Sequence, residues 1–245
     1  MPVVRPNWSV TLKARDMPRP FLPVGDTKTT DPWIIQNKLG QLHRVFSDKG
    51  SIRYMRSDSS VPPYTTDVYV TTINETGLTR DDRSPCIAQT MHGKLIILFE
   101  RVNVRLEQFG YTFDIHANVW ESESNDDGET WSEPVMAFRH GRHPIVVVQP
   151  GTGTILRAAY VDGKIQATIQ YSGEARQSEP FYFSDGKFDI EVLLDSFCVA
   201  AAVDGQQRWL LSVRCAAEPG TSDWVSYDDC RTWKRTDDVP EENSE

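Results

Sequence analysis

An eight-residue pattern occurs twice in this chain of 245 residues, as Ser124-Asn125-Asp126-Asp127-Gly128-Glu129-Thr130-Trp131 and as Ser226-Tyr227-Asp228-Asp229-Cys230-Arg231-Thr232-Trp233. Each copy follows a β-rich segment, with apolar and polar residues alternating at the period of a half-buried strand. A short carboxylate accepts hydrogen bonds from the backbone N–H groups of its own turn, so Asp126 and Asp228 are expected to cap their turns. Gly128 takes a positive φ without a Cβ clash. Cys230 stands at the matching position, where a positive φ costs a residue with a Cβ on the order of 1 kcal/mol. Trp131 and Trp233 are expected to pin these hairpins by burying their rings.

The octapeptides sit inside a longer repeat. Its clearest copy has a turn at Gly93-Lys94, the run Leu95-Ile96-Ile97-Leu98-Phe99, an alternating stretch from Phe113 to Trp120, and the turn opened by Ser124. Weaker copies run through Gly40–Phe46 and Ser51–Arg56 to Ser57-Asp58, and through Thr154–Tyr160 and Ile165–Tyr171 to Ser172. The fourth runs through Phe197–Val203 and Trp209–Val213 to Ser226. The opening serines at 57, 124, 172 and 226 are separated by 67, 48 and 54 residues. A period near fifty residues with four strands per unit implies an all-β fold, a small β-propeller of about four four-stranded antiparallel blades. Residues 61–82 leave room for a fifth.

Three segments follow. Residues 1–36 carry six prolines among short apolar pieces containing Trp8, Phe21, Leu22 and Trp33, which forbids a long helix and implies an extended arm that lies on a surface. Residues 37–240 make the propeller. Residues 241–245 close the chain as an acidic tail.

A formal net charge of -9 argues against a nucleic-acid partner, because neutralising phosphates requires a basic surface. Cys86, Cys198, Cys215 and Cys230 form no C-x-x-C pair, and His140-Gly141-Arg142-His143 reads as a link between blades rather than a metal site. No metal or cofactor is expected. Nothing near the N-terminus resembles a signal peptide, and no apolar run approaches the roughly 18 residues that cross a bilayer. The expectation is a soluble protein made in the cytoplasm, with no membrane insertion.

The octapeptides resemble the Asp boxes of sialidase-like β-propellers, with Ser124, Asp126, Gly128 and Trp131 in one copy and Ser226, Asp228 and Trp233 in the other. The resemblance covers about residues 80–235. Arg83-Ser84-Pro85, followed by Phe99-Glu100-Arg101 and the first octapeptide, is similar to the family's opening blade, whose Arg-Ile-Pro motif supplies one of three arginines that clamp a substrate carboxylate. Trp209–Arg214 resembles the strand that carries the second. A planar guanidinium matches a carboxylate as a bidentate fork, which makes Arg83 and Arg214, with Glu100 and Arg101 beside the first, the implied substrate-binding residues. Pairing of Arg83 with Asp81 or Asp82, and of Arg214 with a neighbouring blade, are the structural alternatives. Trp120, Trp209 and Trp224 serve either as core or as sugar-stacking platforms.

The family's nucleophile is a tyrosine activated by a glutamate, with an aspartate as acid/base. Where the glutamate belongs this chain has Asp195-Ser196, and the loop aspartate is represented by Glu107 or Asp114. Tyr54, with Arg53 and Arg56, can complete the set only if the ring brings it to the same mouth. An incomplete set implies a non-catalytic module, structural or binding acidic glycans. By analogy with sialidase-like repeats in bacteriophage appendages, it is expected in a virion. It would be docked to other subunits through residues 1–36 and oligomeric in its assembly. The alternative is an exo-acting sialidase.

Overall fold

The computed structural model describes residues 30–37, 39–61, 63–72, 79–106, 112–162, 164–174, 177–183, 197–203, 209–215 and 221–235. Four sheets of four antiparallel strands follow one another along the chain. Blade I contains β1 (Thr30–Gln36), β2 (Leu42–Asp48), β3 (Ser51–Ser57) and β4 (Thr66–Tyr69). Blade II contains β5 (Thr79–Gln89), β6 (Leu95–Leu106), β7 (Thr112–Ser124) and β8 (Val135–Phe138). Blade III contains β9 (Gly141–Val148), β10 (Ile155–Val161), β11 (Lys164–Gln170) and β12 (Phe181–Phe183). Blade IV contains β13 (Phe197–Val203), β14 (Trp209–Cys215), β15 (Thr221–Ser226) and β16 (Lys234–Arg235).

Strand order inside each sheet is the order of the chain, as hairpin connections dictate. The first strand of each blade packs on the blade before it: β5 on β1–β3, β9 on β5–β7, and β13 on β9. Three apolar seams result. Val45, Ile52 and Tyr54 meet Ile87, Leu95, Ile97 and Phe99 between blades I and II. Cys86, Ile96, Leu98 and Val119 meet Val146, Ala159 and Val161 between II and III. Leu156, Ala158, Ile165 and Ala167 meet Trp209 and Cys230 between III and IV. Blade III carries a seam on each face, so β10 is buried along its whole length; β2 of blade I is buried throughout as well. Trp33 of β1 packs against all three clusters, which places the first strands innermost.

Two expected boundaries shift. Thr30–Gln36, the end of the proline-rich stretch, pairs with β2 and is the innermost strand of blade I. The described residues of 61–82 form no fifth blade: Thr66–Tyr69 closes blade I, and blade II opens at Thr79.

Both octapeptides fold alike, at the turn between the third and fourth strands. Thr130 N donates to Asp126 Oδ1 at 2.9 Å and Gly128 N donates to Ser124 Oγ at 2.9 Å. In the second copy Thr232 N reaches Asp228 Oδ1 at 2.8 Å and Cys230 N reaches Ser226 Oγ at 2.9 Å. Hydrogen bonds from the Thr130 hydroxyl and N–H hold the Asp126 carboxyl down at about 2. The same bonds from Thr232 hold Asp228 below its ordinary range, outweighing the opposing effect of desolvation. Gly128 has φ +88° and Cys230 keeps φ at 69°, so the cysteine sits in the left-handed region. Trp131 and Trp233 are half-buried rather than enclosed, because Trp131 lies edge-on against Tyr54, 5.1 Å between ring centres, on the rim of a seam.

The turns also fasten blades together. Arg56 of blade I donates to Asp127 Oδ2 at 2.7 Å, and Thr154 of blade III donates to Asp229 Oδ2 at 2.6 Å. Trp209 Nε1 adds a bond of 3.0 Å to Asp229 Oδ1, so this tryptophan is core. Between blades II and III the buried Arg157 guanidinium meets Glu121 at 2.8 and 3.0 Å.

Candidate functional site

Antiparallel hairpins put the two octapeptides at one end of the blades and the start of every first strand at the other. The second end carries Arg83, Asp114 and Arg214, three of the residues singled out in the sequence. In β5, Arg83 pairs with Glu100 of β6, and the register then slips until Cys86 pairs with Leu98. Ser84 and Pro85 fill this bulge, with Ser84 at φ 49°. Proline has no N–H for a ladder, so a bulge on an edge strand is where it is tolerated.

Successive residues of β5 face opposite ways, and the two acid–base pairs divide accordingly. Towards blade III, Arg83 Nε donates to Glu100 Oε2 at 3.1 Å, while Glu100 Oε1 accepts the His143 backbone N–H at 2.5 Å. Glu100 is only 2% exposed beneath a guanidinium side chain that is 35% exposed. Towards blade I, the fully buried Asp82 takes Arg101 Nε at 2.8 Å and Arg80 Nη2 at 2.5 Å, and its N–H donates to Gly50 O. Burial acts to raise the Asp82 pKa, but the Arg101 and Arg80 hydrogen bonds outweigh it and the group sits below its ordinary range. Arg101 then lies 4.5 Å over the Trp120 ring, which packs in the seam between blades I and II. Arg101 and Trp120 are thus packed between blades I and II, and Glu100 is the seat of Arg83.

Arg214 is placed near the same end, opposite Cys198 of β13 and Thr221 of β15. Asp114 shares that end in β7, opposite Val104. Glu107 and Asp195 lie outside the described residues. Tyr54 is not brought to this mouth. Its buried ring lies against the octapeptide of blade II, where a Cβ on Gly128 would stand 2.1 Å from it. Its hydroxyl is 2.7 Å from His43 Nδ1, and burial raises its pKa well above the usual tyrosine value. Arg53 is bound to Asp67 and Asp48, and Arg56 to Asp127.

His140 and His143 are not in a loose link. They flank the start of β9, the innermost strand of blade III, where His143 lies against Glu100 and His140 Nδ1 is 3.7 Å from Asp162. Sequence reasoning missed this strand and with it Arg142. The signal was present, because Arg142-His143-Pro144 repeats the Arg-x-Pro of Arg83-Ser84-Pro85 after 59 residues.

No family model and no curated protein matches the sequence. Solved structures do match in shape. NanB sialidase from Streptococcus pneumoniae superposes with a TM-score of 0.63 at 8% identity, over 89% of this chain and 54% of the sialidase. A leech intramolecular trans-sialidase gives 0.60 at 8% identity, over 88% of this chain and 51% of its own. A protein of unknown function from Dyadobacter fermentans gives 0.55 at 12%, over 84% and 67%. The chain spans about half the length of the sialidases it matches. Identities this low establish architecture alone, and the architecture is that of the sialidase-like β-propellers.

Proposed function

We propose that this chain is a non-catalytic sialidase-like propeller that binds acidic glycans at the Arg83 end. In this reading it serves as a structural part of a bacteriophage virion, docked to other subunits through residues 1–36. The observation that carries the non-catalytic reading is the position of Tyr54. A glycosidase needs its nucleophile and proton donor within a few ångströms of one bond, and groups that act as a unit lose most of their effect when one is missing. Tyr54 is held between two blades near the end opposite Arg83, protonated and bound to His43. Arg83 on its buried carboxylate supports the glycan part of the reading, since a seated guanidinium is a ready partner for a sugar carboxylate.

The likeness to sialidases favours a second reading, an exo-acting sialidase using carboxylates of this mouth. A fluorogenic sialoside separates the two. No turnover, together with retention of the chain on a sialylated glycan surface, supports the first reading. Turnover that disappears in Arg83→Ala supports the second. Deletion of residues 1–29 followed by sedimentation tests the docking role: the shortened chain is expected to stay monomeric under conditions in which the full chain assembles.

A further inference from the structure

The turn between β1 and β2 is tied to a buried imidazole. His43 of β2 is fully buried, with Nδ1 2.7 Å from the Tyr54 hydroxyl and Nε2 3.2 Å from Asn37 Nδ2. Asn37 follows β1, and its amide is fixed from the other side. Its Oδ1 accepts the backbone N–H groups of Leu39 and Gln41, each at 3.0 Å, and its Nδ2 also donates to Gln41 Oε1 at 2.6 Å. An amide NH2 has no lone pair to offer a donor, so Nε2 must accept and Nδ1 carries the hydrogen that goes to Tyr54. Both ring nitrogens are matched only when the ring is neutral.

The charges around the ring come from two further elements. Arg56 of β3 lies opposite His43 in the ladder and disfavours a second cation. Asp127, in the octapeptide turn of blade II, favours one, but its carboxylate already takes Arg56 Nη1 at 2.7 Å. Glu129 and Asp58 complete the shell of Arg56, at 3.3 and 3.4 Å. The Tyr54 hydroxyl is kept protonated by burial and donates to Asp127 O at 3.3 Å. Burial disfavours the imidazolium more than either charge acts on it.

We propose that His43 and Asn37 form a proton-operated latch on the β1–β2 turn, closed while the ring is neutral and opened when Nε2 takes up a proton. The new N–H would point at the Asn37 NH2, a donor against a donor. The conflict ends only if Asn37 turns its amide and brings Oδ1 to the imidazolium. Oδ1 then leaves the N–H groups of Leu39 and Gln41, and the turn loses the acceptor that holds it. Leu39 sits in this turn, 82% exposed, and β1 carries Trp33, which packs against all three seams. Acid thus acts first on the strand that the blades share, at the end opposite Arg83.

The experiment is a pH titration of the full chain by NMR, reading the His43 ring and the backbone N–H resonances of Leu39 and Gln41. The three are expected to move together in the folded protein, with one midpoint below about 6.5. In His43→Gln the Leu39 and Gln41 resonances are expected to stay still. Asn37→Asp puts an acceptor where Nδ2 stands, while its other oxygen keeps the two N–H groups. It is expected to raise the His43 midpoint above the wild-type value and to hold both resonances in place as the ring titrates. If His43→Gln does not fold, Asn37→Asp decides. A His43 midpoint in Asn37→Asp at or below that of wild type overturns the latch. Titration of His43 in wild type with the Leu39 and Gln41 resonances unmoved also overturns it. So does unfolding of the wild type before any of the three moves, because the latch then never opens in the folded chain.

Discussion

Tyr54 of blade I and Gly128 of blade II occupy complementary volumes: a Cβ built on Gly128 falls 2.1 Å from the tyrosine ring. Blade III has Ala167 at the strand position of Tyr54, fourth in β11 as Tyr54 is fourth in β3, and there blade IV carries Cys230 in place of the glycine. The departure of the second octapeptide from the first thus follows from the neighbour it packs against. Gly128→Cys is expected to destabilise by roughly 1–3 kcal/mol through overpacking. The same change on a Tyr54→Ala background is expected to cost less, a non-additivity that a double-mutant cycle by denaturant unfolding measures. Equal costs in both backgrounds would contradict the complementarity.

Asp126→Ala leaves the Thr130 N–H and hydroxyl without their acceptor and is expected to lower the melting temperature. The native carboxyl is held down at about 2, so its contribution is complete above the ordinary carboxylate range and fades as pH falls towards 2. The variant should lack that part of the acid transition.

His43 gives a second pH dependence, nearer neutrality. Asn37 Oδ1 accepts the N–H groups of Leu39 and Gln41, which turns Asn37 Nδ2 towards His43 Nε2 at 3.2 Å. His43 Nε2 must therefore accept and Nδ1 donate to Tyr54, fixing the neutral ring. Burial lowers its pKa, Arg56 adds to the effect and Asp127 opposes it. A lowered folded pKa means the unfolded state takes up the proton first, so the stabilisation is complete above about 6.5 and declines as pH falls below it. His43→Gln is expected to flatten the urea midpoint between about pH 7 and 5. An unchanged slope would remove His43 as the cause.

The Arg157–Glu121 pair joins blades II and III with both groups buried. Removing one partner strands a buried charge, so Arg157→Met or Glu121→Leu alone is expected to cost roughly 3–5 kcal/mol. The double variant is expected to recover much of that loss in equilibrium unfolding, because the desolvation penalty leaves with both charges.

The outer strands and turns were legible in the sequence because they use the ordinary signals, alternation in β7 and a carboxylate-capped turn after it. Two of the innermost strands, β1 and β9, were not. Pro32 in β1 and Gly141 with Pro144 in β9 read as arm and linker, since these residues end strands whose N–H groups must pair. An edge strand with a bulge escapes that rule. The place of Tyr54 was hidden for a different reason: its partners Asp127 and Gly128 lie over seventy residues away, and no local pattern encodes which turn lands on which blade.

Among the described residues, Trp33 is the one side chain that all three seams share. In a linear repeat array each unit couples only to its neighbours, so ends can fray while the middle holds. Here one indole ties every pairwise interface to a common node, which makes the loss of β1 equivalent to weakening all of them at once. The blades are therefore expected to melt as one cooperative body, with the strand that read as part of an arm governing the unfolding of the whole.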